Sequence, residues 1–227
     1  ELEMKLIEAA GKAVKIFPAE KENAPLVILN TFEDDGESVY AAVRKITDVE
    51  FSLAAVGGIR WEAEMSPWKC SPVYKGGAPC TGEADAYLDT LTKEILPEIL
   101  GQLLMKPSYT ALAGYSLAGL FAVYALYRTD FFSRAASASG SFWFPDFLRF
   151  ALNNKMAVKP DCVYFSLGDK EARVRSSTLC TVEDNTRMLN KMCNELGIRS
   201  TFELNPGNHF KDAPLRMAKG IAWMIGN

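Results

Sequence analysis

Pro25-Leu-Val-Ile-Leu-Asn30 is an apolar run closed by polar residues, with no alternation along it. A strand that wets one face alternates apolar and polar residues, whereas an unbroken run marks a strand covered on both faces. Phe51–Val56 repeats the pattern and ends at Gly57-Gly58. Tyr109–Ala113, the small-residue run Ala135–Ser139, Cys162–Leu167 and Ser200–Leu204 read as further strands. Helical segments separate them. Ser38–Ile46 sets Val39, Ala42, Val43 and Ile46 at helical spacing, and Glu83–Leu104 reads as a helix that Pro97 kinks or splits. Leu117–Tyr127 and Pro214–Ile225 read as helices, as does Thr181–Leu196, with one apolar face and Gly197 at its end. Ahead of all these, Leu2–Phe17 alternates loosely and breaks at Ala10-Gly11, as two short strands around a turn would. Strands alternating with helices predict an α/β architecture with a mostly parallel, doubly wound sheet and helices on both faces. In such sheets ligands bind at the carboxyl ends of the strands.

The 227 residues suit one domain spanning 1–227, since no repeat or linker interrupts them. Residues 59–81, rich in Pro, Gly, Trp and Cys, read as a long irregular loop, a feature that is usually functional in a compact domain. A net charge of −3 and a pI near 5.4 offer no basic surface for nucleic acid. No apolar run approaches the roughly 18–20 residues of a membrane span. The five cysteines are odd in number and show no C-x-x-C spacing, and the chain has a single histidine, so neither a zinc site nor any other cofactor is expected. Cys70 and Cys80 flank a Pro/Gly-rich loop and could bridge, but an odd count favours free thiols and a cytoplasmic setting. The chain starts at Glu1 rather than Met, which leaves room for a removed signal peptide. A homo-oligomer is compatible with everything above.

Thr110-Ala-Leu-Ala-Gly-Tyr-Ser-Leu-Ala-Gly119 predicts a strand turning sharply into a helix at Ser116. Gly114-Tyr-Ser-Leu-Ala118 is close to the G-x-S-x-G nucleophile elbow, where small residues flank a strained serine so that strand and helix can pack together. The free N–H groups at the helix start would serve a developing oxyanion, Leu117 N–H first. If Ser116 is activated by an imidazole, the base can only be His209, in the Pro-Gly-Asn loop between the last strand and the last helix. An acid that fixes the imidazole tautomer belongs on the turn after Cys162–Leu167, which carries Asp169 and Glu171; Glu183 and Asp184 fall inside a helix. The order serine, acid, histidine is that of α/β-hydrolases.

Taken together, Gly114-Tyr-Ser-Leu-Ala-Gly-Leu-Phe121, Ser139-Gly-Ser-Phe-Trp143, Leu167-Gly-Asp-Lys-Glu171, Gly207-Asn-His-Phe210 and Arg60-x-x-x-Glu64-x-Ser-Pro-Trp68 resemble the esterase family of α/β-hydrolases. That family includes siderophore esterases, S-formylglutathione hydrolases, feruloyl and acetyl xylan esterases, and mycolyltransferases. The resemblance implies an α/β-hydrolase fold, with Ser116 as nucleophile, His209 as base and Glu171, in preference to Asp169, as acid. It places a second oxyanion donor in the turn after Leu26–Asn30, at Phe32 N–H ahead of Thr31. Arg60, Trp68 and Trp143 fall at substrate-lining positions. Two departures stand out: Ala118 replaces the last elbow glycine, and Asn30-Thr-Phe32 lacks the glycine common in that turn.

These residues predict a serine esterase acting through an acyl-enzyme. The stretch between Ser139 and Cys162 is too short for a large lid, so the cleft is expected to be open and roofed by residues 59–81. An open, aromatic-flanked cleft suits a bulky small-molecule or polymer-attached ester, and the resemblance implies one of carbohydrate or siderophore type. Transfer of the acyl group to an alcohol would use the same residues. A non-catalytic hydrolase fold used for binding is the remaining alternative.

Overall fold

The computed structural model describes residues 3–227; Leu2, where the first predicted strand begins, lies outside them. In chain order the elements open with β1 (Lys5–Ala9), β2 (Lys12–Phe17), β3 (Leu26–Asn30), α1 (Gly36–Ile46) and β4 (Ser52–Val56). The short α2 (Trp61–Glu64), β5 (Lys69–Cys70) and β6 (Cys80–Thr81) follow. Then come α3 (Ala84–Thr90), α4 (Leu96–Gln102), β7 (Thr110–Tyr115), α5 (Leu117–Arg128), β8 (Arg134–Ala138) and α6 (Phe147–Asn153). The chain closes with β9 (Cys162–Gly168), α7 (Val182–Glu195), β10 (Arg199–Asn205) and α8 (Ala213–Gly226).

Eight of these strands form one sheet in the order β1-β2-β4-β3-β7-β8-β9-β10. β2 pairs antiparallel with both β1 and β4, and every other pairing is parallel. The unbroken apolar runs have a direct physical outcome. Within β3, Leu26 and Ile28 point to one face, where α3, α4, α5 and α7 pack, while Val27 and Leu29 point to the other, where α1 and α8 lie. All four side chains are almost wholly removed from water. α5 is buried along nearly its whole length, as its apolar sequence requires, whereas α1 and α7 bury only a stripe.

From β3 the chain moves to β4 on one side, and from β7 it moves to β8 on the other, so the winding reverses between β3 and β7. In an open α/β sheet such a reversal opens a ligand crevice at the carboxyl ends of that pair.

One expectation changes, and two gain detail. Residues 59–81 are not simply an irregular roof. They hold α2 and a two-stranded ribbon in which Cys70 stands opposite Cys80, and the thiols of all five cysteines are free. Trp68 ties this segment down by packing on Tyr124, Phe144, Phe147 and Phe150. The helix predicted over Glu83–Leu104 is interrupted by a π turn at Leu91–Ile95, just ahead of Pro97. Proline has no N–H, and its ring crowds the carbonyl four residues back; a widened turn relieves both problems. Finally α6 occupies the stretch after Ser139, too short to be a lid and packed through Phe147 and Ala151 into the core.

Candidate active site

Ser116 sits between the end of β7 and the start of α5 with φ 60° and ψ −125°, a region that residues with side chains rarely enter. The surroundings hold it there. Its N–H donates to the Ala138 carbonyl at 3.1 Å, and its own carbonyl accepts from the Gly119, Leu120 and Ser141 N–H groups at 3.0–3.1 Å. Strand and helix approach so closely that a Cβ at Gly114 would overlap the Ala118 carbonyl. The Ala118 methyl lies over that bare glycine, so alanine at this position leaves the elbow intact. Leu117, the first residue of α5, has no earlier turn to receive its N–H.

The loop after β10 carries His209 to the same rim. Its Nε2 lies 3.0 Å from Ser116 Oγ, and its Nδ1 lies 2.8 Å from Glu171 Oε2. A carboxylate can only accept, so the proton sits on Nδ1 and Nε2 is left to accept from the serine hydroxyl. Asp169 does a different job on the same turn: its Oδ1 accepts the Gly207 N–H at 2.8 Å and so holds the histidine loop rather than the ring.

Glu171 is buried and densely bonded. Oε1 accepts from the Gly168 N–H and the Ser139 hydroxyl, both at 2.7 Å, and from Arg216 Nη1 at 3.3 Å. Burial pushes its carboxyl up, but hydrogen bonding and charge from His209, with the Ser139 and Gly168 bonds, outweigh that and hold it below its ordinary value. The carboxylate is therefore the stable form next to the imidazole. The ring itself keeps a partly open edge, with 29% of the His209 side chain exposed. Among the described residues no three metal-ligating side chains converge on one point.

A strained serine, an imidazole and a buried carboxylate thus lie in one hydrogen-bonded line. The family described as "Putative esterase" matches residues 32–194. The chain belongs to that esterase family. It is accordingly a carboxylic ester hydrolase with an α/β-hydrolase-like fold. Among solved structures, the esterase is similar to an IroE-like serine hydrolase from Shewanella oneidensis, with 19% identity, a TM-score of 0.76, and 98% of this chain and 79% of that one covered. It is equally similar to the siderophore hydrolase EstB from Aspergillus nidulans, with 19% identity, a TM-score of 0.75, and 99% and 94% covered. A curated relative, the uncharacterized protein YbbA of Bacillus subtilis, is 21% identical over 171 residues, covering 72% of this chain and 68% of its own length.

In the esterase the turn after β3 separates two candidate backbone donors. The Thr31 N–H is already given to the Val56 carbonyl at 2.9 Å, while the Phe32 N–H has no hydrogen-bond partner among the described residues. The Phe32 ring is 66% exposed and meets Trp61 edge-on. Trp143 is half-buried on the segment that also presents Ser141, whose hydroxyl lies 3.4 Å from Ser116 Oγ. Arg60 and Trp68 are not brought against Ser116 or His209. The exposed Arg60 guanidinium pairs with Glu64 and Glu83, and the Trp68 indole N–H donates to the Pro145 carbonyl at 3.0 Å.

Five residues around the site receive no role from the motifs. These are Ser141, Ser139, Tyr115, Arg216 and Phe210, the last 84% exposed and edge-on to the His209 ring. Tyr115, Ser139, Ser141 and Phe210 lie inside quoted motifs, so proximity in sequence was a usable signal for them. Arg216 lies in an amphipathic helix and carries no such signal.

Proposed function

We propose that the chain is a serine esterase working through an acyl-enzyme on Ser116. The observation that carries this is the continuous line Ser116 Oγ–His209–Glu171, with contacts of 3.0 and 2.8 Å, at a serine held in strained backbone. His209 Nε2 takes the hydroxyl proton as Ser116 attacks the ester carbonyl, and Glu171 stabilises the imidazolium that forms. The Leu117 N–H and the unpartnered Phe32 N–H receive the oxyanion. His209 then protonates the departing alcohol, and a water activated by the same imidazole releases the acid.

The substrate class follows from the rim. Phe32 and Phe210 are exposed and Trp143 is half-exposed, which gives an apolar, aromatic border to an open site. Such a border suits a bulky ester with an aromatic or carrier-attached acyl group, of the siderophore or feruloyl-carbohydrate kind. That fold neighbours include ones named as a siderophore hydrolase and a ferulic acid esterase is consistent with this choice.

The test is hydrolysis of p-nitrophenyl acetate and butyrate by the wild type, Ser116→Ala and His209→Asn, followed by a trilactone siderophore and feruloylated xylan. Loss of turnover in both variants is expected, together with loss of Ser116 labelling by a fluorophosphonate. Equal rates in all three proteins would sink the reading.

A further inference from the structure

Arg216 is the largest fully buried side chain of the described residues, 1% exposed, and it is a cation. A buried charge is costly unless paired and fully hydrogen-bonded, so what it touches is informative. Nη2 donates to the Pro206 carbonyl at 3.0 Å. Nη1 faces Glu171 Oε1 at 3.3 Å, Tyr115 Oη at 3.3 Å and Ser139 Oγ at 3.4 Å. Each of those oxygens is free to accept. The Tyr115 proton is committed to the His209 carbonyl at 2.6 Å, and the Ser139 proton to Glu171 at 2.7 Å. One guanidinium therefore joins the acid turn after β9, the histidine loop after β10, the segment after β8 and the elbow residue Tyr115. The backbone has made way for it: a Cβ at Gly168 would stand 2.9 Å from Nη1 and would overlap the Gly207 carbonyl.

We propose that Arg216 is a positioning residue for the esterase site, a clamp that fixes the histidine loop against the acid turn so that His209 keeps one tautomer aimed at Ser116. The proposal rests on the catalytic reading given above. Arg216 touches neither the serine nor the imidazole. It acts through Glu171, through the Tyr115 hydroxyl bonded to the His209 backbone, and through Pro206 at the root of the loop. The charged and titratable groups around this point are Glu171 and Asp169 on the acid turn, Tyr115 at the elbow, and His209 and Lys211 on the loop. A lysine at 216 could reach one of these acceptors but not span them, because it lacks the forked, planar donor set.

His209 is the only histidine in the chain, so its ring nitrogens report without assignment in ¹⁵N-labelled protein. The wild type is expected to show a single Nδ1–H tautomer with a slowly exchanging low-field proton. In Arg216→Met the low-field proton should be lost and the tautomers should mix, while kcat on p-nitrophenyl butyrate falls about 100-fold with KM little changed. Arg216→Lys should recover part of both. Tyr115→Phe, which removes one hydroxyl and keeps the ring, should lower kcat about tenfold and serves if Arg216→Met does not fold. Folded Arg216→Met or Tyr115→Phe with the wild-type tautomer signature and wild-type kcat would overturn the clamp. A wild type that shows the signature but hydrolyses no ester would instead overturn the catalytic reading, leaving the clamp to be judged on the tautomer alone.

Discussion

Replacing Glu171 by glutamine removes one charge and almost no volume, and the structure dictates which way the new amide must point. The Oε1 position is surrounded by three donors: the Gly168 N–H, the Ser139 hydroxyl and the Arg216 guanidinium. An NH₂ group there would meet donors on every side, so the amide oxygen stays at that position and the NH₂ faces His209 Nδ1, 2.8 Å away in the parent. Two donors cannot share that contact. The imidazole therefore adopts the other tautomer, with Nδ1 accepting and an N–H at Nε2 aimed at Ser116 Oγ, where a base is needed. Restoring the productive tautomer leaves a buried donor unpaired, at about 1–3 kcal/mol. The missing carboxylate charge costs about 4 kcal/mol more when the imidazolium forms, for charges about 4 Å apart at an effective dielectric near 20. A total of about 5–7 kcal/mol corresponds to about 10⁴–10⁵-fold in kcat. The assay is steady-state hydrolysis of p-nitrophenyl butyrate, paired with the ¹⁵N spectrum of the lone histidine, which should change from Nδ1–H to Nε2–H. A folded Glu171→Gln protein with kcat within tenfold of the parent, or with Nδ1–H retained, would refute this chain of reasoning.

Other outcomes follow from the same geometry. The Glu171 carboxyl is held below its ordinary 4.5, so the stability it contributes is complete above that value and is lost as pH falls through the lower folded one. The difference in unfolding free energy between parent and Glu171→Gln, measured by urea titration, should thus shrink as pH falls below 4.5. Gly114→Ala puts a methyl into the Ala118 carbonyl and should cost at least about 3 kcal/mol, seen as a lower Tm with loss of fluorophosphonate labelling. Trp68→Ala should lower stability by about 3 kcal/mol with kcat/KM nearly unchanged; unchanged Tm with a large drop in kcat/KM would instead make Trp68 a cleft residue. Lys12→Met strips Glu64 of its buried partner at 2.6 Å and should cost about 3–5 kcal/mol in urea unfolding without altering serine labelling.

The parts of this fold that were legible in sequence are those in which one physical constraint acts along a contiguous stretch. β3 and β4 are covered on both faces, so their runs contain no alternation, and the strand-to-helix change at Ser116 is compressed into a few small residues. Residues 59–81 were less legible because their order comes from remote partners: Trp68 packs on residues of α5 and α6, and a two-residue ribbon is too short to show a period. Pro97 announced a disturbance, but the choice between a kink and a π turn depends on how the flanking turns pack into the core. At the site, the lone histidine made the base unambiguous once a serine nucleophile was supposed, whereas the acid did not follow from sequence spacing, since Asp169 and Glu171 share one turn.

What separates those two carboxylates is the register of the ends of β9 and β10. Asn205 pairs with Gly168 as the last rung of a parallel ladder, so the chain leaves both strands at the same height. The Asp169 N–H then bonds the Asn205 carbonyl, and the Lys170 N–H bonds the Gly207 carbonyl, at 2.8 and 3.1 Å. Two loops that leave in step and exchange such bonds form one double turn. On it Asp169 faces back to the Gly207 N–H, and Glu171, one residue past Lys170, comes round to the imidazole. One side chain with several donors bonds both loops at once, Arg216, through Glu171 and the Pro206 carbonyl. Arg216 closes the first turn of α8, its N–H bonded to the Asp212 carbonyl. The carboxylate that meets the imidazole is thus selected by strand register, and it is bonded by a residue 45 positions further along the chain. Both are facts of tertiary structure, which is why neither is written in the acid turn itself.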